Sequence, residues 1–432
     1  MAHRTVSQGK APTLTRFFEI LCVLNVVALP FTDAFAPHPW APINLIIMGG
    51  TAFLMAVLAP HQLSWGFDPE DVLLILAVFL GYVGLLFAPS YGPKNQNHCS
   101  AIFTCVSLYY LFAKANIWAR LRWRSLINAV ALTTFGSAVY VIAEFVLANF
   151  AGVSLSGLIP YFSSQAFSAP DSGATFMGLW VRPRGFSAEA GHMATIFEVG
   201  LPLTALAFTG AKRVFRVILF VVSLAGFLVL VSAAAIVAIV VAALFVAFRR
   251  RTSARVRWAL AALTLLAGVV ALTNQDVQLY ADSLVLDRTL GLVGLADQED
   301  ASAADRSERV RVAVGIAADF PLGFGWGTAS HLGTQGSELM RGVPFGFVSL
   351  PAEFLVAGGW LSLLCLLAFF TIRILRIAAV GTLDAQMLLL GLCSLSIHYL
   401  TISNYWYPVL WASLGLPSVY RAHLAAEAQQ QV

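Results

Sequence analysis

The sequence predicts an all-α polytopic membrane protein, on three observations. Hydrophobic residues fill 59% of the 432 positions and charged residues only 11%, whereas a soluble domain carries ~25% charged residues. Mean hydropathy is +0.80. Apolar stretches of helical length recur from residue 17 to residue 418, as in a chain that crosses a bilayer many times. Disordered, nucleic-acid-binding, collagenous and disulfide-rich secreted classes are excluded by the same figures. The five cysteines, Cys22, Cys99, Cys105, Cys365 and Cys393, mostly lie inside apolar runs and show neither metal-ligand spacing nor a disulfide framework.

A hydrocarbon core of ~30 Å needs ~20 helical residues. About twelve segments qualify: 17–36, 42–59, 71–88, 99–113, 126–150, 191–209, 214–230, 232–248, 257–273, 346–370, 382–401 and 404–419. The first 16 residues are polar, and no small-residue cleavage site ends the first apolar run, so that run reads as an uncleaved span. The run from Val214 to Phe248 would be ~52 Å of helix, too long for one crossing. Lys212, Arg213 and Arg216 precede it and Arg249, Arg250 and Arg251 follow it. Basic flanks favour the cytoplasm, so the run divides into two spans with a tight turn near Ser232.

The same charge rule orients the whole chain. With both termini cytoplasmic, 18 of the 26 Lys and Arg residues fall on the inner side, among them Arg16, Lys114, Arg120, Arg122, Arg124, Arg373, Arg376 and Arg421. Three regions follow: 1–273, with nine spans and an outer loop at 151–190; 274–345, a long outer loop with helical pattern from Arg306 to Phe320; and 346–432, with three more spans and the C-terminus. Loops of this length are usually functional or disordered, and neither outer loop is low-complexity.

Eight basic residues remain outside, and seven are arginines: Arg182, Arg184, Arg288, Arg306, Arg309, Arg311 and Arg341. A guanidinium fork matches phosphate oxygens bidentately, whereas a lysine offers a point charge. The set therefore suggests a clamp for an anionic headgroup such as a pyrophosphate. Equally, these arginines could pair with Asp297, Glu299, Asp300, Asp305 and Glu308 nearby.

Two passages concentrate the signal. Val181-Arg182-Pro183-Arg184-Gly185-Phe186 leads through Ser187-Ala188-Glu189-Ala190-Gly191-His192 into a span. Pro183 and Gly185 predict a fixed turn, with Arg182 and Arg184 on a rigid shoulder. Glu189 and His192, three apart, share a helix face and could act as an acid/base pair. Alternatively, Glu189 is a first-turn residue favoured by the helix dipole and His192 is interfacial. The second passage runs from Arg306 through a helix to Pro321-Leu322-Gly323-Phe324-Gly325-Trp326-Gly327. It is neither a Walker loop nor a dinucleotide fingerprint, and its glycines could simply pack the loop. His331 follows in the same loop, a third candidate for acid/base chemistry. Glu144, Glu198, Glu353 and His398 lie within or at the ends of spans, where ionisable groups attract functional suspicion. Ser403-Asn404-Tyr405-Trp406-Tyr407-Pro408 fits an interfacial aromatic belt.

About twelve spans, an Arg-Xaa-Arg-Gly-Phe segment before the sixth, and an Arg-helix-Pro-Leu-Gly-Xaa-Gly passage in the long loop resemble the O-antigen ligase and polymerase superfamily. These are C-type glycosyltransferases of the bacterial inner membrane, and the resemblance covers residues 120–375. It implies metal-independent, inverting transfer of a glycan from an undecaprenyl-diphosphate carrier to a sugar hydroxyl on the periplasmic side, with no cofactor. It further implies that Arg182 or Arg184, and Arg306 or Arg309, hold the diphosphate, with Glu189, His192 and His331 as candidates for the catalytic base. The lipid-linked glycan, membrane lipid and a chain-length regulator protein are the expected partners. Ligases of the superfamily carry a His-Asn pair before the tenth span, where this chain reads Phe345-Gly346-Phe347-Val348-Ser349. The Phe186–His192 run instead resembles the Phe-Xaa-Glu-Pro-Ser-His run of polysaccharide repeat-unit polymerases, with Ala190 and Gly191 in place of Pro and Ser. A polymerase is the expectation, and a ligase acting on lipid A-core the alternative. Further alternatives are a secondary transporter, which would predict related halves and a midplane site, and a lipid-linked glycan flippase, which would need polar residues through the bilayer depth; the sequence shows no internal similarity and few such residues.

Overall fold

The computed structural model describes residues 13–32, 34–35, 41–153, 155, 175–176, 180–187, 189–230, 232–249, 252, 254, 257, 301–341 and 346–430. All but the first residue of the predicted span 257–273 lies outside the described residues, as do 156–174 of the first outer loop and 274–300 of the second. That last stretch contains Arg288, Asp297, Glu299 and Asp300.

The described chain is mostly helical: α1 (Thr13–Ala28), α2 (Ile43–Leu58), α3 (Asp71–Gly84), α4 (Pro93–Thr104), α5 (Trp123–Phe150), α6 (Ala190–Thr204), α7 (Arg213–Val229), α8 (Ala233–Phe248), α9 (Ala301–Asp319), α10 (Thr328–Thr334), α11 (Leu350–Ala378), α12 (Leu383–His398) and α13 (Pro408–Gln430). Two short antiparallel strands, β1 (Thr175–Phe176) and β2 (Trp180–Val181), pair Thr175 with Val181 and Phe176 with Trp180. Each predicted span on described residues overlaps one of these helices. The break near Ser232 falls where the charges put it, between Val229 and Ala233.

Among the described residues three helical stretches, Pro93–Arg120, Trp123–Phe150 and Leu350–Ala378, are long and apolar enough to cross a membrane, consistent with an all-α membrane protein. Seven other helices run 14 to 17 residues, which is about 21 to 26 Å of axis. The helix predicted from residue 99 begins at Pro93. Pro93 occupies its first turn and the Asn95 side chain accepts the Gly92 N–H at 2.9 Å; the polar run Lys94–His98 hid that start from a hydropathy reading. After Thr104 this helix widens into π-helical turns from Cys105 to Ile117.

The chain forms two compact units, one from 1–66, 107–232 and 407–432, the other from 67–106 and 233–406. In the first, α5 packs on α1, α6 and α7, and α13 packs on α6. Gly200 and Gly226 let α6 and α7 approach α5 closely at Thr134 and Ala138. Arg120 Nη1 donates to Gln62 Oε1 at 3.0 Å, and Ser64 N–H donates to Asn116 Oδ1 at 2.9 Å.

The second unit is built on α3 against α11. Helix α11 is broken at Gly359, whose φ of 72° and ψ of −171° are open only to glycine. The break strands the carbonyls of Val356 and Ala357, and the segment after α9 takes them up. Phe324 N–H bonds Val356 at 3.0 Å, Gly325 N–H bonds Ala357 at 2.9 Å, and Trp360 N–H turns to Pro321 O at 3.4 Å. A Cβ on Gly323 would lie 2.3 Å from the Ala357 oxygen and one on Gly359 2.0 Å from that of Pro321. Trp326 is fully buried, its Nε1 donating to Val78 O at 3.0 Å. The glycines of Pro321–Gly327 thus serve close packing.

At its far end α11 carries Arg373, which the charge rule counted among the flanking basic residues. The structure buries it: at 1% exposure it meets Asp71 at 2.6 Å, Asp68 at 3.2 Å and Glu70 at 3.5 Å, while Arg376 also bonds Glu70. The acidic residues just before and at the start of α3 explain this, since they form a dense negative site that the helix dipole favours. Removing one partner of a buried pair leaves uncompensated charge. Arg373→Met is therefore expected to destabilise the protein by about 3–5 kcal/mol, and Lys212→Met, on an exposed residue of the other unit, by far less; reversible unfolding in mixed micelles measures both.

Candidate functional site

In the first unit the Arg-Pro-Arg-Gly-Phe segment is mounted on the C-terminal half of α5. Asn149 grips Val181 on both polar atoms, its Oδ1 accepting the N–H at 2.6 Å and its Nδ2 donating to the carbonyl at 3.0 Å. One turn earlier, Glu144 Oε2 accepts the N–H groups of Arg184 at 3.1 Å and Gly185 at 2.8 Å. One turn earlier again, the Tyr140 ring stacks on Phe186, centroids 4.2 Å apart and 21° between planes. Tyr140 and Glu144, four apart, share a face of α5, and Asn149, five residues further on, projects from another. Gly185 sits at φ 66°, and a Cβ there would fall 2.7 Å from Met193 Cγ, so the turn requires glycine.

The rigid shoulder expected at Pro183 and Gly185 is thus present, and its two arginines differ. Arg182 Nε donates to Leu230 O at 2.8 Å, at the C-terminal end of α7, where a cation is favoured. Arg184 is fixed through its backbone N–H, and its charge acts on the Glu144 carboxylate. Glu189 is the N-cap residue of α6 and is exposed; His192, buried at 6%, stands 4.0 Å from it, Nε2 to Oε2. The separation is close enough for charge interaction and too long for a hydrogen bond. Tyr407 covers the imidazole, ring centroids 4.6 Å apart. One segment thus presents two arginines and a carboxylate–imidazole pair.

The second unit holds the remaining candidates. Arg306 lies on α9, its side chain outside the described residues. Arg309, one turn on, donates from Nη1 to Gly346 O at 2.7 Å. Arg311 pairs with a carboxylate one turn away on the same helix, holding Glu308 bidentately at 2.5 and 2.7 Å, and this hydrogen bonding keeps the Glu308 carboxyl below its usual range. His331 is buried, its Nε2 2.9 Å from Ser90 Oγ and its ring pressed on Gly92. Among the described residues no group of three His, Cys, Asp or Glu side chains is arranged to hold a metal ion.

Sequence reading missed Tyr140, Asn149 and the inward-facing tyrosines. The first two carried a readable signal: polar side chains spaced around Glu144 inside an apolar helix. Tyr405 and Tyr407, expected in an interfacial belt, are buried instead. Tyr405 bonds His98 Nδ1 in the second unit and Tyr407 covers His192 in the first; nothing in the local pattern distinguishes such rings from a belt. No protein-family model matches the chain, and no curated protein matches it in sequence.

Glu144→Gln keeps an oxygen for the two N–H groups and is expected to leave the mount intact. Glu144→Ala strands both and should cost about 1–3 kcal/mol for each unsatisfied donor, read by unfolding and by faster trypsin cleavage at Arg184.

Proposed function

We propose that this chain is a glycosyltransferase of the bacterial inner membrane, a polysaccharide repeat-unit polymerase using an undecaprenyl-diphosphate-linked glycan. The observation that carries the reading is the single segment from Arg182 to His192. Its arginines stand on a turn pinned to α5, and it runs straight into the Glu189–His192 pair.

In this reading an acceptor sugar hydroxyl attacks the anomeric carbon of the donor as the bond to the diphosphate oxygen breaks. Glu189 or His192 takes the hydroxyl proton. Attack opposite the leaving group inverts the anomeric centre. The departing diphosphate gains charge, which pre-placed guanidinium groups stabilise without a metal ion. Arg182, Arg184, Arg306 and Arg309 are the candidates for that work.

The proposed topology has twelve spans, cytoplasmic termini and a periplasmic active site. Supporting it, polar bonds within each unit join segments assigned to the same side. Gln62 with Arg120, Ser64 with Asn116 and Glu70 with Arg376 pair inner segments; Ser90 with His331, His98 with Tyr405 and Arg182 with Leu230 pair outer ones. An arbitrary assignment of sides would mix them.

The test is transfer by protein in nanodiscs, in chelator, from a synthetic undecaprenyl-diphosphate repeat unit. A ladder of lengthened lipid-linked glycans is expected. It should fall by about a hundredfold or more in Arg184→Ala, the loss typical of removing a donor that stabilises developing negative charge. Transfer only after lipid A-core is added would make the protein a ligase. No transfer to either acceptor would end the glycosyltransferase reading.

A further inference from the structure

The peptide group joining Gly346 to Phe347 is held on both of its polar atoms. Arg309 Nη1 donates to the Gly346 carbonyl at 2.7 Å, and the Phe347 N–H donates to Glu353 Oε1 at 3.0 Å. That carbonyl and that N–H belong to one planar unit and point in opposite directions. A cation at the oxygen end and a carboxylate at the hydrogen end is the arrangement a peptide dipole favours. Gly346 and Phe347 are buried and Glu353 is 9% exposed, so water competes little for either bond. Glu353 lies in the first turn of α11 and Arg309 in α9. Beside them, the two helices share an apolar cluster that includes Ala313, Ile316, Phe347, Ala352 and Val356.

We infer that Arg309 and Glu353 form a positioning pair, acting through the Gly346–Phe347 peptide to fix α9 against the start of α11 and so set where α9 carries Arg306. The catalytic consequence rests on the glycosyltransferase reading; the clamp itself does not. Both Arg306 and Arg309 are candidates for the diphosphate in the sequence, Arg306 by its place fifteen residues before Pro321 and Arg309 as the close alternative. The geometry gives Arg309 a donor role toward the protein's own backbone, which on the glycosyltransferase reading leaves Arg306 as the candidate of this helix for the diphosphate.

The experiment compares Arg309→Met, Arg309→Lys, Glu353→Ala, Glu353→Gln and the Arg309→Met/Glu353→Ala double variant in nanodiscs, by thermal unfolding and by transfer kinetics with the lipid-linked repeat unit. Either half grips only with the other in place, so the double variant should melt no lower than the worse single one. Donor KM should rise about tenfold in Arg309→Met and Glu353→Ala alike, as for residues of one hydrogen-bond network. Arg309→Lys and Glu353→Gln keep a donor and an acceptor and should stay near wild type. A direct phosphate ligand gives another pattern: Glu353→Ala leaves KM unchanged, and Arg309→Lys raises it as much as Arg309→Met. That pattern, or additive melting shifts, overturns the inference. Coupled melting shifts in a protein that transfers nothing would leave the clamp standing and remove the glycosyltransferase reading.

Discussion

Backbone polar groups in an apolar surrounding must find partners within the protein, and the second unit is arranged around one place where a helix cannot supply them. Each unsatisfied N–H or C=O in hydrocarbon costs several kcal/mol. The break at Gly359 would strand the carbonyls of Val356 and Ala357, and the Phe324 and Gly325 amides meet them. Break and insert therefore stand or fall together. Once residues 321–326 are bonded along α11, Trp326 is drawn against Val78 and Gly81 of α3. Helix α9, which ends just before Pro321, is thereby tied to α11. At the other end of α11 a second constraint operates, the buried Arg373 among Asp68, Glu70 and Asp71. The helix is held by backbone bonding at its break and by charge near its C-terminus.

Two loop segments are anchored by the same device. A carboxylate projecting from a long apolar helix accepts backbone N–H groups of the incoming loop: Glu144 those of Arg184 and Gly185, Glu353 that of Phe347. This explains ionisable groups inside apolar helices without making them reactants. Their surroundings supply hydrogen bonds, which is what a buried carboxylate requires. Of the arginines, Arg182 and Arg309 each give a donor to a backbone carbonyl.

Hydropathy and charge located the helices because both report directly on burial in a nonaqueous phase, and the turn between Val229 and Ala233 follows from basic residues on either side of an overlong run. Hydropathy failed where polar residues serve the fold, as at Pro93–His98, where Asn95 is a capping side chain, and at Arg373, whose partners are about 300 residues away in sequence. The Pro183–Gly185 turn was legible because proline and glycine restrict the backbone locally. What holds that turn was legible only in part: Glu144 stood out in an apolar run, but that its oxygen faces two amides 40 and 41 residues later is a tertiary fact. The glycines of Pro321–Gly327 left packing and ligand approach open, and only the neighbouring carbonyl of Ala357 decides for packing at Gly323.

Anchoring through peptide amides has an evolutionary corollary. Glu144 and Glu353 recognise N–H groups that every residue but proline possesses, so the side chains at 184 and 347 are not specified by those bonds. Substitutions at 184 can alter what that segment presents while the hydrogen bonds that seat it persist. A scaffold of this kind permits the side chains it displays to diversify between lineages without first re-evolving its supports.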